Sequence, residues 1–178
     1  MNKFILDACC GGRMMWQNKE HPNTIYQDKR ECILPYKEKY GQNFSVEPDK
    51  IGDFTNMDFE DKSFKLIVFD PPHLIEEGTS IMATKYGHYK SLDELKETLK
   101  MGFKECWRCL EDNGVLIFKW NEGSLKTKEV LDLIGIEPLF GQKATTGSKT
   151  NKKTMWFTFM KIPELALNVL SDEVQDGN

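Results

Sequence analysis

The sequence predicts an α/β domain: a mostly parallel twisted sheet with helices on both faces and an antiparallel hairpin at its C-terminal end. Three observations carry that expectation. Short apolar runs at Phe4-Ile5-Leu6, Leu66-Ile67-Val68-Phe69 and Val115-Leu116-Ile117-Phe118 are each bounded by polar or glycine-rich breaks, the pattern of strands buried on both faces. Between the last two lies a stretch with apolar residues every three or four positions, the period of a helix. The final two strand-like runs have no helical segment between them, so they should pair antiparallel.

Taken in order, the first strand is Phe4 to Leu6, punctuated by Asp7 and then Gly11-Gly12. A second is expected at Thr24-Ile25-Tyr26, ending at Asp28. Residues 31–50 are mixed, and Pro35 and Pro48 exclude one long helix there. The clearest strand, 65–69, runs into Asp70-Pro71-Pro72-His73. About eighteen residues without a clean period follow, a length that in a compact domain marks a functional or irregular segment. A helix should start at Ser91, with Glu94 completing a capping box. Its stripe is Leu92, Leu95, Leu99, Phe103, Cys106 and Leu110, with Asn113-Gly114 as its end. The strand 115–118, a helix from Leu125 to Leu133 stopped by Gly135, and strands near 136–140 and 155–162 complete the chain. Residues 1–162 then form one domain, and 163–178 an acidic tail with no Lys or Arg.

Composition sets limits on function. The 178 residues are 39% hydrophobic and 11% aromatic, too apolar for a disordered chain, and the net charge of -4 excludes a globally basic coat protein. Nothing approaches the roughly 20 apolar residues that span a bilayer, and Asp7 interrupts the only apolar start, so a cytoplasmic protein without a membrane is expected. Five cysteines, an odd number, fit reduced thiols. Cys106 and Cys109 form a Cys-x-x-Cys, but Cys106 lies on the helical stripe and no second pair has metal-ligand spacing, so no metal is expected.

In open α/β sheets ligands bind beyond the carboxyl ends of the strands, where the punctuating residues fall. Gly11 and Gly12 would let backbone approach a ligand closely. Asp28, at the second strand end, stands where a carboxylate accepts bonds from ribose hydroxyls. At Asp70-Pro71-Pro72-His73, two prolines remove two N–H donors, leaving a carboxylate, carbonyl oxygens and one planar ring. That acceptor-rich platform suits an exocyclic amino group under a stacked ring; a rigid turn is the plainer use of the same residues. Arg13 could clamp a ligand carboxylate by paired hydrogen bonds or simply lie at the surface. Lys85, Tyr86 and Tyr89 mix stackable rings with cations, as suits an unstacked nucleotide, although an anchored solvated loop reads equally well. The segment 141–154 has four lysines, Lys149 and Lys152 among them, and no acid; it could touch phosphates at one rim or serve solubility.

These motifs together resemble the class I methyltransferases that use S-adenosylmethionine, in particular the amino-methylating type with an Asp-Pro-Pro-aromatic signature. The chain is also similar to small phage- and prophage-type methyltransferase proteins, in which Cys9-Cys10-Gly11-Gly12-Arg13-Met14-Met15-Trp16 precedes Asp70-Pro71-Pro72-His73 and Phe118-Lys119-Trp120-Asn121-Glu122. The resemblance runs from about residue 3 to residue 162. It implies a Rossmann-like methyltransferase fold and S-adenosylmethionine as cofactor, with S-adenosylhomocysteine as product. Asp7, Cys9, Gly11 and Gly12 then correspond to the cofactor loop and Asp28 to the ribose ligand. Asp53 and Phe54 correspond to the pair that reads and covers the adenine, and Asp70, Pro71, Pro72 and His73 to the catalytic platform. Two positions depart from the pattern: Arg13 replaces a glycine, and His73 replaces Tyr, Phe or Trp. The implied reaction is methylation of an exocyclic amine, adenine N6 or cytosine N4 in DNA or RNA. Guanine N2 in RNA, a small amine, and a non-catalytic binding protein on the same scaffold are the alternatives. With no room for a separate recognition domain, a protein partner could supply specificity.

Overall fold

The computed structural model describes residues 3–34, 44–75, 87–143 and 154–163. Seven strands form one sheet: β1 (Ile5–Asp7), β2 (Thr24–Asp28), β5 (Lys50–Ile51), β6 (Phe64–Phe69), β7 (Leu110–Asn121), β8 (Phe140–Lys143) and β9 (Thr154–Met160). Their order is β5-β2-β1-β6-β7-β9-β8. The first five are mutually parallel, whereas β9 is antiparallel to both β7 and β8. The direction of the chain thus reverses on either side of β1, which opens a crevice at the carboxyl ends of β1 and β6. A separate hairpin, β3 (Cys32–Leu34) with β4 (Phe44–Val46), lies within the stretch that the sequence leaves mixed.

Helix α1 (Leu92–Cys109) begins where the capping box predicts: the Ser91 hydroxyl accepts from the Glu94 N–H at 3.1 Å, and the Glu94 carboxylate accepts from the Lys90 N–H at 2.7 Å. Its buried stripe, Leu95, Leu99, Phe103 and Cys106, meets Leu116, Phe118, Phe157 and Phe159 of the sheet. The Phe103 ring stands edge-on to both Phe118 and Phe159. Helix α2 (Thr127–Ile134) lies beside α1 and adds Val130 to the same core. Alternation along β7 explains why: Leu116, Phe118 and Trp120 are buried under the helices, while Ile117, Lys119 and Asn121 point to the other face. On that face the described connection from β1 to β2 contains no helix. It runs in turns, and Trp16 covers Tyr26 edge-on with ring centroids 5.1 Å apart.

Several boundaries differ from expectation, and three of them have a clear physical cause. α1 ends at Cys109 rather than at Asn113-Gly114, because Leu110 takes extended geometry and already pairs with Phe64. Residues 111–114 bulge out of the β6–β7 ladder, with Asn113 at φ 62°, and Lys161, one residue beyond β9, closes the bulge. The strand expected at 136–140 starts only at Phe140: Pro138 has no N–H to donate, and the ladder with β9 begins just after it. α2 starts two residues later than expected because Leu125 is drawn into the core, its carbonyl accepting from the Trp120 indole N–H at 3.0 Å. Among the described residues no helix is long and apolar enough to cross a membrane.

Candidate functional site

The loop after β1 is fixed by both neighbouring strands. The Ala8 N–H donates to the Val68 carbonyl, the Cys10 N–H to that of Gln27, and the Gly11 N–H to the Asp28 carboxylate at 2.9 Å. Gly11 has φ 49°, and a Cβ built there would meet nothing within 4 Å, so its backbone is open to a ligand. Gly12 is glycine for a different reason: a Cβ would fall 2.5 Å from the Phe44 ring. These residues form one wall of a pocket of about 270 Å³, which continues past Asp28, Phe54, Asp70, Pro72 and Tyr89.

Asp28 is 4% exposed. Its Oδ1 accepts from the Arg30 backbone N–H and Nε at 3.0 and 3.1 Å, and its Oδ2 from Gly11, with Arg30 Nη2 at a longer 3.4 Å. Phe54 packs edge-on against Phe69, and the space over it is closed by Gly102 of α1. Beyond β6, Asp70 meets Lys119, whose Nζ lies 2.6 Å from Oδ2. Tyr89 is buried; its N–H donates to the Leu74 carbonyl, and a bridge pairs Ile75 with Tyr89 where the chain returns to the pocket.

Cys9, Gly11, Gly12, Asp28, Phe54, Asp70, Pro72 and Tyr89 therefore converge on one pocket. Other residues singled out in the sequence lie elsewhere. Asp7 is fully buried beneath the loop, where its carboxylate accepts from the Trp16 indole N–H at 2.7 Å and from the Cys9 N–H. Burial pushes its carboxyl up to about 7, helped by the carboxylates of Asp70 and Asp28 and opposed by those two hydrogen bonds. The Asp53 carboxylate is turned onto Thr55, accepting from its N–H and hydroxyl, and does not line the pocket. Pro71 is buried, and the His73 ring stands edge-on to Trp120 instead of in the pocket wall. Lys85, Tyr86, Lys149 and Lys152 lie outside the described residues.

The Arg13 guanidinium points away from the pocket, against the expectation of a cofactor clamp. It donates to the carbonyls of Lys19 and Glu47 at 2.6 and 2.7 Å, pairs with Asp49 at 3.0 Å and lies 3.9 Å over the Tyr26 ring. Arg13 also has φ 53°. The residue that replaces the pattern's glycine thus keeps a glycine-like backbone conformation and is held in it by its own side chain. A cleft of about 520 Å³ lies on this side of Gly11-Gly12, bordered by Lys3, Lys19, Glu47 and Asp49.

Sequence reasoning missed Lys119, Arg30 and Phe44 as pocket residues. Lys119 carried a signal: it stands one place beyond an apolar strand, as Asp70 does beyond its own. Burial pushes the Cys10 thiol up to about 12 and raises Cys9 as well, so neither supplies a thiolate nucleophile at neutral pH. Cys106 and Cys109 are buried in the core, and among the described residues no three His, Cys, Asp or Glu side chains converge on a metal position.

Comparison with known proteins places this architecture. No family model matches the sequence, and no curated protein matches it. Solved structures do match. A S-adenosylmethionine-dependent methyltransferase from Methanosarcina mazei is 13% identical, with a TM-score of 0.57 over 90% of this chain and 93% of the other. The [4+2]-cyclase SpnF is 11% identical, with a TM-score of 0.55 over 90% and 75%. A TehB-like methyltransferase from Corynebacterium glutamicum is 15% identical, with a TM-score of 0.51 over 90% and 82%. The chain has the Rossmann-like fold of class I methyltransferases, a mixed sheet with flanking helices and a C-terminal hairpin. A cyclase on the same fold shows that the fold does not choose the reaction.

Proposed function

We propose that the protein is a S-adenosylmethionine-dependent methyltransferase that modifies the exocyclic amine of adenine or cytosine in DNA or RNA. The observation that carries the reading is the placement of Asp70 and Pro72 in the same pocket as Gly11, Asp28 and Phe54, beyond the strand ends. The donor set fits the cofactor. Asp28 has four lone-pair sites, one of them taken only by the long Arg30 contact, so a ribose hydroxyl has an acceptor. The open Gly11 backbone admits the cofactor chain, and Phe54 offers an apolar wall for its adenine. Bound there, the cofactor supplies an activated methyl group.

The protein's contribution is then positioning. Asp70 accepts a hydrogen bond from the amine and orients its lone pair; as the nitrogen gains positive charge, the carboxylate stabilises it, and the surplus N–H proton then passes to solvent to leave the neutral methylamine. The choice of a nucleic-acid amine as acceptor rests on Asp70-Pro71-Pro72 and on the resemblance to amino-methylating enzymes with an Asp-Pro-Pro-aromatic signature, not on the similar solved structures. The test is transfer of labelled methyl to single-stranded and duplex DNA and RNA. Label should enter adenine or cytosine, and Asp70→Ala should lose at least about 100-fold in turnover while the cofactor dissociation constant stays within about threefold. Parallel loss of binding and turnover would make Asp70 structural.

A further inference from the structure

Asp70 does not face the pocket alone. Phe69 pairs with Phe118 across β6 and β7, so the next residue of each strand, Asp70 and Lys119, must meet side by side. Their contact is 2.6 Å, both side chains are partly exposed (20% and 26%), and both line the pocket. On its other side Lys119 is paired with Trp156 of β9, whose ring lies 5.7 Å from Nζ. The ammonium is thus held between a carboxylate and a ring face, with its remaining protons available to the pocket. Asp70 Oδ1 takes no hydrogen bond from any described residue.

If Asp70 served only to stabilise positive charge on the acceptor, a cation 2.6 Å from it would work against that task. The arrangement is consistent when the cation is used as well. Resting on the reading of this pocket as a methyl-transfer site, we infer that Asp70 and Lys119 form a two-point reader of an amidine edge. Asp70 accepts from the exocyclic amino group, and Lys119 donates to the adjacent ring nitrogen. The separation of carboxylate oxygen and ammonium nitrogen is close to that of the two nitrogens of such an edge, so both bonds form side by side. Adenine (N6 and N1) and cytosine (N4 and N3) present this donor–acceptor order, and a flipped-out or single-stranded base exposes it. A keto–imino edge, as in uracil, presents the reverse order and leaves both groups facing like partners. An aliphatic amine has no acceptor for Lys119 and, when protonated, is repelled by it. Lys119 therefore selects aminated heterocycles over simple amines.

The experiment uses the full chain, labelled S-adenosylmethionine and single-stranded oligonucleotides holding one adenine or one 1-deazaadenine, with cytosine and 3-deazacytosine as the second pair. The deaza bases keep the amino group and lose only the ring acceptor. Wild type should favour the natural base by about 10- to 100-fold in kcat/KM, the effect of one charge-assisted hydrogen bond. In Lys119→Met the preference should shrink to within about twofold, chiefly through the natural base becoming worse, and Lys119→Arg should restore part of it. Equal use of natural and deaza bases by wild type, or a preference that survives in Lys119→Met, overturns the role of Lys119 while leaving the methyltransferase reading intact. Absence of label in every adenine and cytosine oligonucleotide overturns both. If Lys119→Met does not fold, the wild-type comparison and Lys119→Arg still decide.

Discussion

Replacing Arg13 separates two jobs that one position can have in a cofactor loop. The side chain makes two hydrogen bonds to carbonyls, an ion pair with Asp49 and a contact over the Tyr26 ring, at 17% side-chain exposure. Charge-assisted hydrogen bonds are worth about 1.5–3 kcal/mol each when buried and less at this exposure, and a cation–π contact adds about 0.5–1 kcal/mol. Allowing for non-additivity, Arg13→Ala should cost about 3 kcal/mol. At φ 53° alanine keeps the left-handed strain of about 1–2 kcal/mol, which glycine lacks, although glycine costs about 0.4–1 kcal/mol more in unfolded-chain entropy. Arg13→Gly should therefore be more stable than Arg13→Ala by about 0.5–1 kcal/mol, despite the larger deletion. Urea unfolding followed by tryptophan fluorescence measures both. Because the guanidinium faces away from the pocket, the S-adenosylmethionine dissociation constant of either variant, measured under folded conditions, should stay within about threefold of wild type. A stability loss below about 1 kcal/mol together with a tenfold loss of affinity would refute this assignment and restore the clamp.

Two further outcomes follow from buried groups. Asp7 titrates at about 7 in the folded protein against an ordinary 3.8, so the folded state holds the extra proton between those values. Its contribution is complete below pH 4 and is lost as pH rises through 7, an order of magnitude of about 4 kcal/mol at 1.36 kcal/mol per pH unit. Asp7→Asn should flatten that part of the stability profile in denaturation at stepped pH; an unchanged slope would remove Asp7 as its source. Gly102→Ala would put a methyl 2.5 Å from Phe54 and 2.8 Å from Phe69. Overpacking of about 1–3 kcal/mol should appear in unfolding, and displacement of Phe54 should weaken cofactor binding in calorimetry.

Much of the architecture was legible in hydrophobic patterning, because strands buried between neighbours must be short and apolar and α1 carries its own cap at Ser91. What escaped prediction was set by tertiary partners. The 111–114 bulge depends on Lys161, one residue beyond β9, and the late start of β8 depends on where Pro138 falls in a ladder with β9. The site shows the same division. Strand-end residues such as Asp28 and Asp70 are placed by the main chain, so position in the sequence located them. The direction of a long side chain is not encoded locally: Arg13 turns away to carbonyls contributed by Lys19 and Glu47, and Lys119 reaches Asp70 only because β6 and β7 are adjacent. Asp53 shows the limit of position alone, since its own turn with Thr55 uses the carboxylate.

The proposed function requires the pocket bounded by Gly11, Asp28, Phe54 and Asp70 to hold S-adenosylmethionine. Calorimetric titration of the purified chain tests it directly, with Asp28→Asn beside wild type. One equivalent should bind per chain, with an affinity at least about tenfold weaker in Asp28→Asn, from the loss of a charge-assisted bond to the ribose. No binding by folded wild type, or binding that Asp28→Asn leaves unchanged, would contradict it.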